Sequence, residues 1–280
     1  MKVTFWGTRG SLAAASADTV RYGGNTSCVA VEGSKKNLLI LDAGTGIQRL
    51  GVSLPVDLKR VDIFLTHLHM DHIQGLPFFI PLRRPQTETH IWGPASTTLS
   101  LSARLQKYLS PPLFPVSVRE MAANFHFHEL HTDKIELEEF SILSQMIIHP
   151  NPTIGYRIDC DNSSITYIPD HEPALGSRSF PTDTDWTSGY NLARDTDLLI
   201  HDSQYTADEY KTRIGFGHSD IHHALQFAQL AGVKKFVPFH YDPLHTDDEL
   251  DVMIEQALKD VAPSFEVTPS REGLSLEVKC

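Results

Sequence analysis

Cysteine is scarce in this chain: its 280 residues include three, Cys28, Cys160 and Cys280. An odd number without paired spacing argues against a disulfide framework and leaves reduced thiols as the expectation. No uninterrupted apolar run is long enough to span a bilayer. The strand-like opening at residues 2–6 carries neither a basic leader nor an apolar leader core. A cytoplasmic protein with no membrane association is therefore expected. Basic side chains are outnumbered, 24 Lys and Arg against 35 Asp and Glu, for a formal net charge of −11. Tight non-specific binding to nucleic acid needs cationic side chains to displace counterions, so no stable nucleic-acid partner is expected. An anionic substrate stays open, because bound divalent metals would be the strongest local charges in a pocket. Linkers, charge blocks and low-complexity tracts are also missing, and residues 1–280 read as a single domain.

Histidine is plentiful, with 15 residues, and three of them stand in Thr66-His67-Leu68-His69-Met70-Asp71-His72. The apolar run 61–65 precedes them and reads as a strand running into a loop. Neutral imidazole is a common metal ligand, and Asp adds an oxygen that a hard or borderline cation accepts. An alternating His-Leu-His leaving a strand points both rings to one side. The next turn can bring Asp71 and His72 to the same place from another direction. That arrangement suits two adjacent metals better than one.

Three more candidates follow apolar runs. His149 follows 146–148, Asp170 follows 165–169, and His240 follows 236–239. Each is polar at the point where a buried strand surfaces, where rigid scaffolds hold their site residues. Strands are expected at 3–6, 28–31, 38–41, 61–65, 125–130, 142–148, 154–158, 165–168, 198–200, 233–239, 265–267 and 274–278. Helices are expected at 47–50 and 95–109, and from a cap at Ser219 or Asp220 to Gly232. A further helix opens on the capping box of Thr246 and Glu249 and stops before Pro263. Strands interleaved with helices imply a layered sheet protein with helices outside.

The core motif extends to Ile73-Gln74-Gly75-Leu76. Other distinctive segments are Phe5-Trp6-Gly7-Thr8-Arg9-Gly10-Ser11, Tyr22-Gly23-Gly24-Asn25-Thr26-Ser27-Cys28, Leu41-Asp42-Ala43-Gly44-Thr45-Gly46 and Ser110-Pro111-Pro112-Leu113-Phe114-Pro115. His149-Pro150 with Gly155-Tyr156-Arg157, Asp170, Gly217-His218-Ser219 and Phe239-His240 complete the set. Together they resemble the metallo-β-lactamase superfamily, and more narrowly its tRNase Z-like and cyclic-nucleotide phosphodiesterase-like branch. The resemblance implies an α/β fold, an αββα sandwich of two mixed β-sheets packed face to face with helices outside. It implies that His67, His69 and His149 hold one divalent metal ion. Asp71, His72 and His240 would hold a second, with Asp170 as the bridge. Two dications about 3.5–4 Å apart need such a shared carboxylate. Asp rather than Cys at the bridge, with the Asp71-His72 pair, argues against a typical β-lactamase. Zn²⁺ is the expected metal for this histidine-rich set, with Mn²⁺ or Fe as alternatives because carboxylates contribute.

The implied activity is phosphodiester hydrolysis by a metal-activated hydroxide, with Asp71 and His218 as catalytic residues. Asp71 would orient or deprotonate the nucleophile as well as ligate. His218, in a Gly-rich turn before a helix, resembles the family histidine that stabilises charge or protonates at the phosphate. The expected substrate is a small phosphodiester, a cyclic nucleotide first. The alternative is a tRNA 3′ trailer, although processors of that type carry a long Gly-rich basic arm. Residues 77–115 offer only Arg83, Arg84, Arg104 and Lys107 as bases. The segment 111–116, near Tyr108, could supply apolar surface for a base. A homodimer is implied by the same resemblance. Thioester or lactone hydrolysis and a non-catalytic metal-binding sensor are the readings from other classes. His171, adjacent to Asp170, points the opposite way and is not expected to ligate. His201 or Asp202 could orient a ligand imidazole from outside. His126, His128, His131, His222, His223 and His245 read as surface or packing residues.

Overall fold

The computed structural model describes residues 1–175 and 180–279. The chain first lays down β1 (Lys2–Gly7), β2 (Cys28–Glu32), β3 (Leu38–Leu41), β4 (Arg60–Phe64), β5 (Glu88–Pro94) and β6 (Asn124–Leu130). It then builds a second sheet from β7 (Lys134–Leu137), β8 (Phe140–Met146), β9 (Ile154–Cys160), β10 (Ser163–Ile168), β11 (Leu198–Asp202), β12 (Lys235–Phe239) and β13 (Glu266–Val267). The last strand, β14 (Ser275–Glu277), returns to pair with β1. The spatial orders are β14-β1-β2-β3-β4-β5-β6 and β13-β12-β11-β10-β9-β8-β7. Each sheet is mixed. Antiparallel pairing fills one half, and β3 through β6 and β10 through β13 run parallel.

Both sheets are covered on both faces, which is why their central strands read as continuous apolar runs rather than as alternation. Val3, Phe5, Val31, Leu41 and Phe64 meet Ile142, Tyr156, Ile165, Ile200 and Phe239 between the sheets. The outer face of the first sheet is sealed by α1 (Ile47–Ser53) and α3 (Leu101–Tyr108), through Ile47, Leu50, Leu101 and Leu105 against Ile40, Ile63 and Ile91. The one-turn helix α2 (Met70–Ile73) sits between them in sequence and carries part of the histidine motif. The second sheet is covered by the short α4 (Tyr190–Ala193), by α6 (Ile221–Ala231) and by α7 (Asp247–Val261), with the single turn α5 (Ala207–Tyr210) leading into this layer. Ile221, Leu225, Phe227, Leu250 and Ile254 pack there on Ile168, Leu199 and Phe236. The layers are helix, sheet, sheet, helix, the αββα sandwich expected.

Local signals explain where most helices begin and end. The Asp220 side chain accepts from the His222 and His223 amides, so Asp220 rather than Ser219 is the cap of α6, and Gly232 closes it at φ 66°. Thr246 and Glu249 form the capping box of α7. The helix expected over 95–109 is shorter, because Ser100 is its cap and the preceding residues leave β5 as a loop. The strand expected at 142–148 is shifted back to Phe140–Met146. Two strands had no sequence expectation. β5 carries Glu88, Thr89 and His90 at its start, and β7 alternates Lys134, Ile135, Glu136 and Leu137, so both lack an apolar run. Cys28 and Cys160 are free and buried, and Cys280 lies outside the described residues. Among the described residues no helix is long and apolar enough to cross a membrane.

Candidate metal centre

Strand ends of both sheets converge at one edge of the sandwich. β4 delivers His67 and His69, and α2 delivers Asp71 and His72. The turn between β8 and β9 delivers His149. β10 ends at Asp170, β11 at Asp202, and β12 at His240. All seven predicted ligands lie together. One candidate group is His67, His69 and His149; the other is Asp71, His72, Asp170 and His240, and within each group the ligand atoms lie within 4.8 Å of one another. Asp170 stands between them. Its Oδ1 is 3.7 Å from His67 Nε2, 3.8 Å from His149 Nε2 and 3.3 Å from His240 Nε2, and its Oδ2 is 3.1 Å from His72 Nε2.

The far nitrogens of these rings are anchored, which aims the near ones inward. His72 Nδ1 donates to Asp42 at 2.7 Å. His149 Nδ1 donates to the Gly217 carbonyl at 2.7 Å, and His240 Nδ1 to Gln204 Oε1 at 3.0 Å. His67 Nδ1 is 3.1 Å from the Thr66 hydroxyl. Metal-binding imidazoles are held in this manner by an acceptor on the ring nitrogen away from the metal. Asp42 is a hub: besides His72 it accepts from the Thr66 amide and from the Tyr167 hydroxyl, at 2.8 and 2.9 Å.

The Gly7-Thr8-Arg9-Gly10-Ser11 segment packs against this centre. The Ser11 amide donates to Asp71 Oδ2 at 2.7 Å. A Cβ on Gly10 would lie 2.2 Å from the His240 ring, so only glycine lets the segment approach that closely. The fully buried Arg9 guanidinium donates to the carbonyls of Gly23, Asp242 and His245 and meets Asp247 at 3.4 Å, which ties this segment to the start of α7.

The donor set fits divalent cations. His67 Nε2 and Asp170 Oδ2 are buried with no hydrogen-bond partner among the described residues. The Nε2 atoms of His72 and His240, whose Nδ1 protons go to Asp42 and Gln204, face each other at 3.2 Å. Such juxtaposed lone pairs and orphaned polar atoms are unfavourable in a buried site unless a cation lies between them. Burial pushes the His67 pKa well down and that of His149 down to about 4, which keeps both rings neutral. Burial opposes ionisation of Asp170 and Asp71, but the neighbouring imidazoles, His240 and His72 foremost, hold both carboxyls well below the usual range. Burial disfavours a charged His72, but Asp170, Asp71 and Asp42 outweigh it and hold its pKa well up, so a dication bound among these carboxylates would take the place of the His72 proton.

His218 enters from the Gly215–Gly217 turn. Its Nδ1 donates to Asp202 Oδ2 at 2.7 Å, and its ring stacks on His240 with centroids 5.1 Å apart. Burial lowers its pKa, but Asp202 outweighs burial and the net shift is upward. The turn itself is held by Glu172, which accepts from the amides of Gly215 and Gly217 and from the Tyr210 hydroxyl. Beside the His69 side of the centre opens a cleft of about 860 Å³ lined by Met70, Tyr108, Leu113, Lys107, Asn151 and Pro152 among others. His171, as expected, turns away from the site; its Nδ1 is 2.9 Å from His201 Nε2.

The β-lactamase superfamily domain matches residues 37–241. The chain belongs to this superfamily. It is similar to a Ribonuclease Z of Streptococcus suis (strain 98HAH33), 26% identical over 81% of this chain and 85% of that protein. Among solved structures it resembles the metallo-β-lactamase fold protein YhfI from Bacillus subtilis, with a TM-score of 0.71, 21% identity and 98% of each chain covered. It also resembles the short form of human tRNase Z, with a TM-score of 0.70, 22% identity and both chains covered completely. The protein is a metallo-β-lactamase-fold, tRNase Z-like, metal-dependent hydrolase of the phosphodiesterase type. Three residues of the site had no sequence expectation: Asp42, Gln204 and Glu172. The signal for Asp42 was available, since it is a carboxylate ending the apolar strand 38–41 in the manner of Asp170.

Proposed function

We propose that this hydrolase is a dinuclear-metal phosphodiesterase whose substrate is an RNA 3′ end, the substrate class supported by its relatives named Ribonuclease Z. The observation that carries the reading is the placement of Asp170 between the two histidine groups, its carboxylate within 3.8 Å of ring nitrogens of both, beside an apolar cleft of nucleotide size. His67, His69 and His149 would hold one ion and Asp71, His72 and His240 the other, with Asp170 shared. Zn²⁺ is the metal that this imidazole-rich set favours. When bound, such ions supply Lewis acidity and lower the pKa of water toward neutrality.

The chain's own groups do the rest. Asp202 fixes the His218 proton at Nδ1 and raises the ring's basicity, so Nε2 can carry a second proton for the leaving oxygen. Asp71 is oriented by the Ser11 amide, leaving its carboxylate directed at the nucleophile's position. Tyr108, Leu113 and Met70 offer apolar surface to the base next to the scissile phosphate, and Lys107 a cation to a flanking phosphate. The Tyr108 hydroxyl donates to the Gln74 carbonyl at 3.0 Å, which fixes the ring at the cleft wall.

A second reading, a cyclic nucleotide as substrate, is favoured by the shortage of cations. Arg104 donates to the Pro94 carbonyl and meets Glu129 at 3.4 Å, which leaves Lys107 as the cleft's base without an ion pair among the described residues. One metal-loaded preparation tested on pre-tRNA with a 3′ trailer, cyclic mono- and dinucleotides, a chromogenic phosphodiester and a thioester decides between them. Trailer removal is expected. Turnover of cyclic nucleotides with intact pre-tRNA would replace the RNA reading by the second, and turnover of the thioester alone would overturn both.

A further inference from the structure

β6 is the edge strand of the first sheet and runs parallel to β5, with His90 opposite His126 and Trp92 opposite His128. Strand alternation puts Glu88, His90 and Trp92 on one face and brings His126 and His128 to that same face. The ring centroids of His90 and His126 are 4.5 Å apart, and His128 stacks on Trp92 at 3.8 Å. One nitrogen of His90, one of His126 and one carboxylate oxygen of Glu88 all lie within 4.8 Å of one another. None of these residues belongs to the centre around Asp170.

The ring of His90 is oriented as a ligand would be. Its Nδ1 is 3.0 Å from His128 Nε2, so one of these nitrogens carries the shared proton. With the proton on His90 Nδ1, donated to His128, the His90 lone pair sits on Nε2. That nitrogen is buried with no hydrogen-bond partner among the described residues, and it lies 3.9 Å from Glu88 Oε2. An unpaired buried ring nitrogen is costly, and a cation between it, Glu88 and His126 would remove the cost. His128 is then a positioning residue, the outside acceptor that fixes the tautomer of a ligand.

We propose that Glu88, His90 and His126 form a separate site for a single divalent transition-metal ion. Two imidazoles and one carboxylate select borderline cations such as Zn²⁺, Ni²⁺ or Cu²⁺ over Mg²⁺ or Ca²⁺. Glu88 and His126 are exposed, so the ion enters from solvent and water completes its coordination.

The test compares the wild-type chain with the double variant His90→Ala, His126→Ala. After dialysis against Zn²⁺, metal analysis should find one equivalent fewer per chain in the double variant, with phosphodiester turnover unchanged. Because the result is a difference, it does not depend on how many ions the Asp170 centre holds. Equal metal content in the two proteins would overturn the proposal. A second readout uses the wild-type fold. Cu²⁺ bound beside the His128–Trp92 stack should quench tryptophan fluorescence saturably, and Trp92→Phe should remove that component. No saturable quench, or one that survives in the double variant, would count against the site. Should the double variant fold poorly, Glu88→Gln on the exposed side chain should weaken Cu²⁺ binding by about tenfold or more, since losing even an outside partner of a ligand costs that much; unchanged affinity would overturn the assignment.

Discussion

The carboxylate of Asp42 and the Nδ1 of His72 meet at 2.7 Å in a position where neither side chain reaches solvent. This contact decides which nitrogen of His72 faces Asp71 and Asp170. Asp42 also fixes the Thr66 amide, the residue before His67. One buried carboxylate therefore sets a ligand of each candidate metal group.

Asp42→Asn keeps the shape and removes the charge. The amide presents an N–H where His72, Thr66 and Tyr167 all donate, so at least one of those donors loses its acceptor. Metal affinity should fall by about 10–100-fold, the usual cost of losing an outside acceptor on a ligand imidazole. Competition titration against a chromogenic chelator measures it. Wild-type affinity in this variant would show that Asp42 is only a folding residue.

His218 and Asp202 form the next pair. His218→Ala leaves all seven ligand candidates in place, so metal content should stay at the wild-type level. Turnover should drop about a hundred- to ten-thousand-fold on a substrate with an alkoxide leaving group. The drop should be much smaller with a nitrophenolate, which leaves without a proton. Asp202→Asn should follow the same pattern more weakly. An equal loss on both substrate types would assign His218 to charge stabilisation instead of proton donation.

The sequence was most legible where strand ends carry ligand-type residues. His67 through His72 sit in consecutive positions, and His149, Asp170 and His240 each terminate an apolar strand, so chain order already marks them. Asp42 obeys the same rule but lacks a histidine beside it. Gln204 and Glu172 were not legible, because an amide or carboxylate in a loop becomes part of the site only through contacts distant in sequence, here His240 and the Gly215–Gly217 turn. β5 and β7 were missed for a related reason. Their residues alternate or are polar, and only pairing with β4 and β6, or with β8, makes them strands. The His90–His126 contact depends on that same pairing, so His126 read from sequence as a surface residue.

The cleft makes a prediction about substrate size. Leu113 is 68% exposed and Lys107 makes no ion pair among the described residues, so neither holds the fold together. Lys107→Ala and Leu113→Ala should raise KM for a nucleotide or RNA substrate several-fold and leave a small chromogenic diester nearly unaffected. Steady-state kinetics on both substrates checks this. Equal effects on the two would place the nucleotide elsewhere.

His201 and His171 predict how acid destabilises the fold. His201 Nδ1 donates to the Asp202 carbonyl at 2.8 Å, so its Nε2 is the acceptor for His171 Nδ1. Burial pushes the His201 pKa down to about 3, and burial with the neighbouring His201 ring pushes His171 well down too. In the unfolded chain both rings titrate near 6.5. Between that value and the folded value the unfolded state binds more protons, so stability is complete above pH 6.5 and declines as the pH falls toward 3. Urea unfolding of the metal-free protein at pH 7, 6 and 5 should show this decline. His201→Gln keeps both hydrogen bonds and removes one titrating group, so its stability should fall with a slope shallower by about one proton. A variant whose slope matches the wild type would mean that His201 is not held neutral in the fold.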